Sequence, residues 1–253
     1  MKRAFRLRIA AMAMAFAVGA TSAAADVTVL CSNGFRAVME DLVPSFEQAT
    51  THRVSVTYGL SAELMRRIGA GAPFDLAILT PPLIDSLVSQ GRVDAPSRST
   101  LARSPIGIAT RRGAAKPDLG SVESLTRSML AAGSIGYARE GASAAFFMAL
   151  VQQLFPAGSR RPAIIAADSG AAVGAAVGRG DVELGVLPVS EILPISGVEV
   201  AGTFPGPLAG YITMTAGVSA RAAQPAATRA LIAFLTDPAA LPVIRRHGME
   251  RAR

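Results

Sequence analysis

Val27-Thr-Val-Leu-Cys-Ser-Asn-Gly-Phe-Arg-Ala-Val-Met-Glu-Asp-Leu-Val-Pro-Ser-Phe46 changes its hydrophobic period partway along. Residues 27–31 form a continuous apolar, β-branched run of strand length, and Ser32-Asn33-Gly34 reads as a turn. Phe35, Val38, Met39, Leu42, Val43 and Phe46 then recur at helical spacing, which predicts a helix over 35–48 that Pro44 should kink or divide. The same unit repeats immediately. Residues 53–58 alternate as a strand, Ser61 stands where an N-cap opens a helix over 62–69, and 74–79 is a buried strand. Thr80-Pro81 then starts a helix to about residue 89 in cap-then-proline order. Three strand–helix units in succession predict an α/β fold with a parallel sheet covered by helices.

The alternation continues outward. Strands are expected at 104–110, 134–138, 163–166, 184–187, 198–200 and 211–215, and helices at 121–132, 143–155, 169–179, 226–235 and 238–247. Gly174 and Gly178 within the alanine-rich 169–179 segment predict close packing there. No repeat of 20–50 residues and no low-complexity linker interrupts the pattern, which fits one domain or two lobes.

With 51% hydrophobic and 17% charged residues, the 253-residue chain is not intrinsically disordered, and its single cysteine excludes a disulfide scaffold. The formal charge of +7 is concentrated at the start: Lys2, Arg3, Arg6 and Arg8 precede any acid. Those cations, the apolar stretch from Ile9 to Val18 and the small residues Ala23-Ala24-Ala25 read as a secretory signal peptide over 1–25. The apolar stretch is shorter than the roughly 20 residues a membrane-spanning helix needs. Without the leader, 21 cations face 18 acids, so a nucleic-acid or membrane-surface role loses its electrostatic basis. The chain is expected to be exported.

The residues offer little reactive chemistry. Cys31 ends an apolar strand and reads as a small buried hydrophobe. His52 and His247, the two histidines, stand far apart in polar settings, so neither a zinc site nor a Ser-His-Asp triad is expected, and no metal is assigned. Gly-x-Ser-x-Gly, His-Glu-x-x-His and paired-cysteine patterns are absent, which leaves a secreted hydrolase as the weaker alternative. What the sequence does supply is a set of small, polar strand-to-helix turns: Ser32-Asn33-Gly34, Gly59-Leu60-Ser61, Gly141-Ala142-Ser143 and Asp168-Ser169-Gly170. In an open α/β sheet, ligands bind beyond the strand ends, where helix N-terminal amides and hydroxyls can hold an anion without a counter-charge. The same residues are equally ordinary caps, and pattern alone does not separate the two.

Specific sequence adds to this. Ile68-Gly-Ala-Gly-Ala-Pro-Phe-Asp-Leu-Ala-Ile78, preceded by Ser61-Ala-Glu-Leu64, resembles the Gly-Ala-Pro-Ala-Asp-Leu core of the periplasmic molybdate-binding proteins. Those are the substrate-binding components of ATP-binding-cassette (ABC) importers. Val27-Thr-Val-Leu30, Leu184-Gly-Val-Leu187, residues 198–204 and the tail 230–248 agree in order. The resemblance implies a type II periplasmic-binding fold: an α/β protein of two lobes with the ligand cleft between them. Lobe 1 would comprise 26–105 plus 209–253 and lobe 2 would comprise 106–208, with hinge strands near 104–110 and 210–215.

It implies a non-enzymatic, monomeric receptor without cofactor, whose partners are a small anionic solute and an inner-membrane permease, with no nucleic acid. The ligand would be molybdate, tungstate or a similar oxyanion. The implied ligand-binding residues are Ser61, matching the family's second-turn serine; Gly34, at the first-turn serine position, with Ser32 and Asn33 beside it; Ala142 and Ser143 at the second-lobe turn; and Gly170 at the next helix start. Pro188 stands where the family has a tyrosine and brings neither a hydroxyl nor an N–H. That substitution keeps a second ligand class open, a small organic anion, with Tyr137 or Arg139 as a compensating group. A sensory rather than transport partner also remains open.

Overall fold

A computed structural model of the chain describes residues 24–251. The expected leader lies outside the described residues except for Ala24 and Ala25. The first half opens with strand β1 (Asp26–Ser32), helix α1 (Arg36–Ala49), β2 (Arg53–Gly59), α2 (Ser61–Gly69), β3 (Leu76–Leu79) and α3 (Pro81–Ser89). After the long strand β4 (Ser99–Arg111) come α4 (Val122–Ala131), β5 (Ser134–Ala138), α5 (Ala144–Leu154), β6 (Ala163–Ala167), α6 (Gly170–Arg179), β7 (Leu184–Pro188), the short helix α7 (Val189–Ile192) and β8 (Val198–Thr203). Strand β9 (Tyr211–Val218) leads back to α8 (Pro225–Thr236) and α9 (Leu241–Arg246).

The strands run in the order β2-β1-β3-β9-β4-β7-β5-β6, with β8 also on β4. The β1/β2, β1/β3, β5/β6 and β5/β7 pairs are parallel, as expected of strand–helix units. The sheet as a whole is not. β9 is antiparallel to both β3 and β4, and β4 is antiparallel to β7 and β8. These pairings join segments distant in sequence, which local periodicity does not report. β4, at 13 residues, is also longer than the expected 104–110. Its first part pairs with β9 as far as Pro105, and from Ile106 onward it pairs with β7. Pro105, which has no N–H to donate, stands where the partner changes. The result is two α/β lobes joined by shared long strands.

The core is continuous through the joint. Val29, Phe35, Leu76, Ile106, Ile135, Val186, Met214 and Leu231 belong to one buried cluster. α1 buries Val38, Met39, Leu42 and Phe46 and runs through Pro44 without dividing. Glu40, whose carbonyl loses its helical donor at Pro44, lies on an exposed face, where water can replace that donor. Ser121 caps α4 through a reciprocal capping box with Ser124. In α6, any Cβ on Gly174 would overlap Ile195, the close packing expected of that glycine. His52 is buried rather than in a polar loop, with Nδ1 accepting from the Ala25 N–H at 3.3 Å.

The aspartate of the Ala-Pro-Phe-Asp-Leu segment has a structural role. Buried Asp75 accepts from the Thr28 N–H (2.9 Å) and the Gln224 N–H (3.0 Å), while its own N–H donates to the Thr28 carbonyl (2.8 Å). It therefore fastens β1 and the start of α8 to the segment leading into β3. Asp75→Ala would orphan two donors that now meet a carboxylate, and should lower stability by about 3 kcal/mol. Asp75→Asn, keeping one acceptor oxygen, should lose roughly half of that. The shift of the urea unfolding midpoint of each variant measures this.

Candidate functional site

Several of the small polar turns meet at the joint between the lobes. β1 ends at Ser32, and the chain coils through the single turn Asn33–Phe35 before α1. Beside it, Leu60 occupies the extended N-cap position of α2, so Ser61 is the first helical residue and not the expected cap. Relieved of capping, the buried Ser61 hydroxyl donates to Ser32 Oγ at 3.1 Å. The first-turn amides of α2 have no intrahelical acceptor by position.

In the second lobe, Ser169 caps α6 by accepting from the Ala172 N–H (3.1 Å), and the buried Gly170 begins the helix. Ser143 is buried at the start of α5, where its hydroxyl makes no capping bond; Ala142 before it is partly buried. Glu140, in the same turn, meets Arg66 of α2 at 3.2 Å, so this turn faces α2 across the crevice. Both partners of that ion pair are substantially exposed, which makes it weak. Arg139 is exposed, and Tyr137 packs its ring 5.3 Å from that of Phe147.

Two residues at the centre were not anticipated from the sequence. Pro188 ends β7 in an extended conformation and opens α7, the four-residue helix that carries Ser190 and Glu191. The buried Ser190 N–H donates to Ser104 Oγ of β4 at 3.1 Å, and its hydroxyl donates to the Gly34 carbonyl at 2.9 Å. One residue thus ties the second lobe to the crossing strand and to the first turn of the first lobe. Glu191 follows, and its carboxyl lies between Gly34 and Gly170. A Cβ on Gly34 would sit 3.5 Å from Glu191 Oε1, and one on Gly170 would overlap Oε2. The absence of a side chain at Gly170 is what admits the carboxyl; at Gly34 it makes room for Met214 instead. The only sequence signal was that Glu191 is the sole charged residue from Leu184 to Val198. A four-residue helix is too short for periodicity to reveal.

A cavity of about 450 Å³ opens here, lined by Asn33, Arg36, Glu40, Ser169, Gly170 and Glu191 among others. Arg36 is engaged with Glu40 at 2.7 Å, and its guanidinium lies 5.0 Å from the centre of the Tyr58 ring. Among the described residues the Glu191 carboxyl has no hydrogen-bond or ion-pair partner, and burial pushes its pKa up to about 7. Burial also raises the pKa of the Cys31 thiol far above its ordinary value, which removes thiolate chemistry.

The native Glu191 carboxyl keeps its proton to higher pH than the unfolded chain does. Between about pH 4.5 and 7 stability therefore falls as pH rises, and the full penalty applies above pH 7. Glu191→Gln, which carries no charge, should be more stable than the parent at pH 8 by about 2 kcal/mol. The two should be equally stable at pH 4. Urea denaturation at the two pH values checks this.

Comparison with known proteins agrees with the architecture. The family model described as bacterial extracellular solute-binding protein matches residues 27–250. A Pseudomonas sp. protein named aconitate isomerase is 26% identical over 232 residues, spanning 88% of this chain and 87% of its own. The molybdate-binding protein of Escherichia coli (strain K12) is 24% identical over 246 residues, spanning 94% of this chain and 95% of its own. Among solved structures, the periplasmic molybdate-binding protein of Azotobacter vinelandii superposes with a TM-score of 0.69 at 20% identity, covering 90% of this chain and 100% of that one. The two-lobed fold and the family match over nearly the whole chain make this protein a member of the bacterial extracellular solute-binding protein family.

Proposed function

We propose that the protein is a periplasmic receptor that holds a small organic polycarboxylate in the crevice between its lobes and presents it to an ABC permease. In this reading the lobes are 26–105 with 209–253, and 106–208, and they close about the crossing strands as hinges. In this reading the neutral donors would be the Ser32–Ser61 pair, Asn33 and the α2 amides on one side, and Ser143 and the α6 amides at Gly170 on the other; of these, Asn33 and Gly170 line the cavity that holds Glu191.

The observation that favours an organic ligand is the Glu191 carboxyl between Gly34 and Gly170. A permanently doubly charged oxyanion beside it would meet like charge; two unit charges 4 Å apart at an effective dielectric constant of 20 repel by about 4 kcal/mol. A carboxylic acid can share a proton with Glu191, or donate a hydroxyl to it, while its other carboxylates take the neutral donors. Pro188 removes one further donor from any tetrahedral shell. The Pseudomonas relative named aconitate isomerase makes an unsaturated tricarboxylate a reasonable probe. The second reading is a receptor for molybdate or tungstate, favoured by similarity to the molybdate-binding proteins; it requires Glu191 to be protonated when the anion binds.

Calorimetry and thermal unfolding with cis- and trans-aconitate, citrate, molybdate, tungstate and sulfate test the two readings. A ligand at 100 times its dissociation constant stabilises by about 2.7 kcal/mol, which for a protein of this size is a rise in Tm of roughly 5–10 °C. The polycarboxylates should produce that rise and molybdate should not. A response to molybdate or tungstate alone would transfer the assignment to the second reading, and no response to any anion would remove the receptor role.

A further inference from the structure

We propose that the crevice is also a catalytic site, in which Glu191 moves a proton between two carbons of an unsaturated polycarboxylate. The inference rests on the organic-anion reading above and adds a reaction to it. Its first support is geometric. Glu191 stands on a helix whose preceding residue is anchored on two sides, to Ser104 of the crossing strand and to Gly34 of the opposite lobe. The backbone that carries its carboxyl is therefore anchored, and the residue lines a cavity of a size that takes small organic ligands.

The second support is the lack of any competing partner. Arg36 and Glu40, the charged residues that α1 contributes to this cavity, pair with each other. The other residues that line it, among them Asn33, Ser169, Gly170, Ala171, Ser190 and Ile195, are uncharged. Glu191 is thus left to exchange its proton with a bound molecule or with water. A carboxyl group that titrates near neutrality, as burial makes this one, can both accept and return a proton under physiological conditions.

The reaction needs no co-reactant. The Glu191 carboxylate takes a proton from a methylene carbon that lies between a carboxylate and a carbon–carbon double bond. The C–H electron pair moves into the adjacent carbon–carbon bond, and the original double-bond electrons move toward the far carbon. Charge accumulates there and on the conjugated carboxylate, whose oxygens face the uncharged N–H and O–H donors of the crevice. Glu191 then returns the proton to the far carbon. One C–H bond has broken and one has formed, the double bond has shifted by one position, and the substrate has isomerised with no net gain or loss of electrons.

The test follows cis- and trans-aconitate by proton NMR in D₂O with the whole protein, alongside calorimetry on the same samples. Interconversion of the isomers, with deuterium entering the methylene position, is the expected result. Glu191→Gln, assayed at concentrations that saturate it, should slow that exchange by at least about 100-fold. Aconitate that binds but exchanges no faster than in protein-free solution would overturn the catalytic proposal alone. So would a Glu191→Gln variant that exchanges as fast as the parent. Absence of aconitate binding would overturn the catalytic proposal, and absence of citrate binding as well would overturn the organic-anion reading together with it.

Discussion

Strand β4 bonds to β9 on one side of Pro105 and to β7 and β8 on the other, and that division of one backbone between two sheets sets the arrangement of the rest. Beyond antiparallel β9 on one side and β7 on the other, each half-sheet is built of parallel strands, β3-β1-β2 and β7-β5-β6. Short α7 packs against β4 at this place, and Ser190 converts the packing into directed contacts with Ser104 and Gly34. The proximity of Gly34 to Gly170, 136 residues apart in sequence, follows from the crossing.

Much of this was legible in the sequence, for identifiable reasons. The change of period after Cys31 and the Thr80-Pro81 start are local signals, and the corresponding elements form where those signals lie. The Ala-Pro-Phe-Asp-Leu segment indicated the family, yet the chemistry of its aspartate is internal: Asp75 fastens backbone to backbone. The antiparallel insertion of β9 between β3 and β4 was not legible, because the pairing of Leu76 with Val218 has no counterpart in nearby residues. Ser61 misled for a related reason. A serine before an amphipathic run is ordinarily a cap, and only the presence of Ser32 across the turn redirects its hydroxyl.

The central acid was the largest omission. Glu191 lies in an otherwise apolar run, and its placement depends on Gly170, in another strand–helix unit, which leaves room for its Oε2. Neither the run nor the glycine carries the information alone. A carboxyl in such surroundings is costly to ionise, and an assembly that existed only to grip a fixed dianion would have no use for it. The proposed chemistry would use it for two complementary tasks, meeting a bound acid and exchanging a proton with it.

The contact from the Ser190 hydroxyl to the Gly34 carbonyl also bears on how the molecule breathes. It lies buried where the two lobes meet, and breaking it would leave both of its ends in need of another partner. A hydrogen bond of that kind contributes only about 1 kcal/mol net, less than a tenfold bias between shut and ajar. The latch is therefore light. In the proposed receptor, an occupant bridging the two walls would therefore contribute more to closure than this contact does.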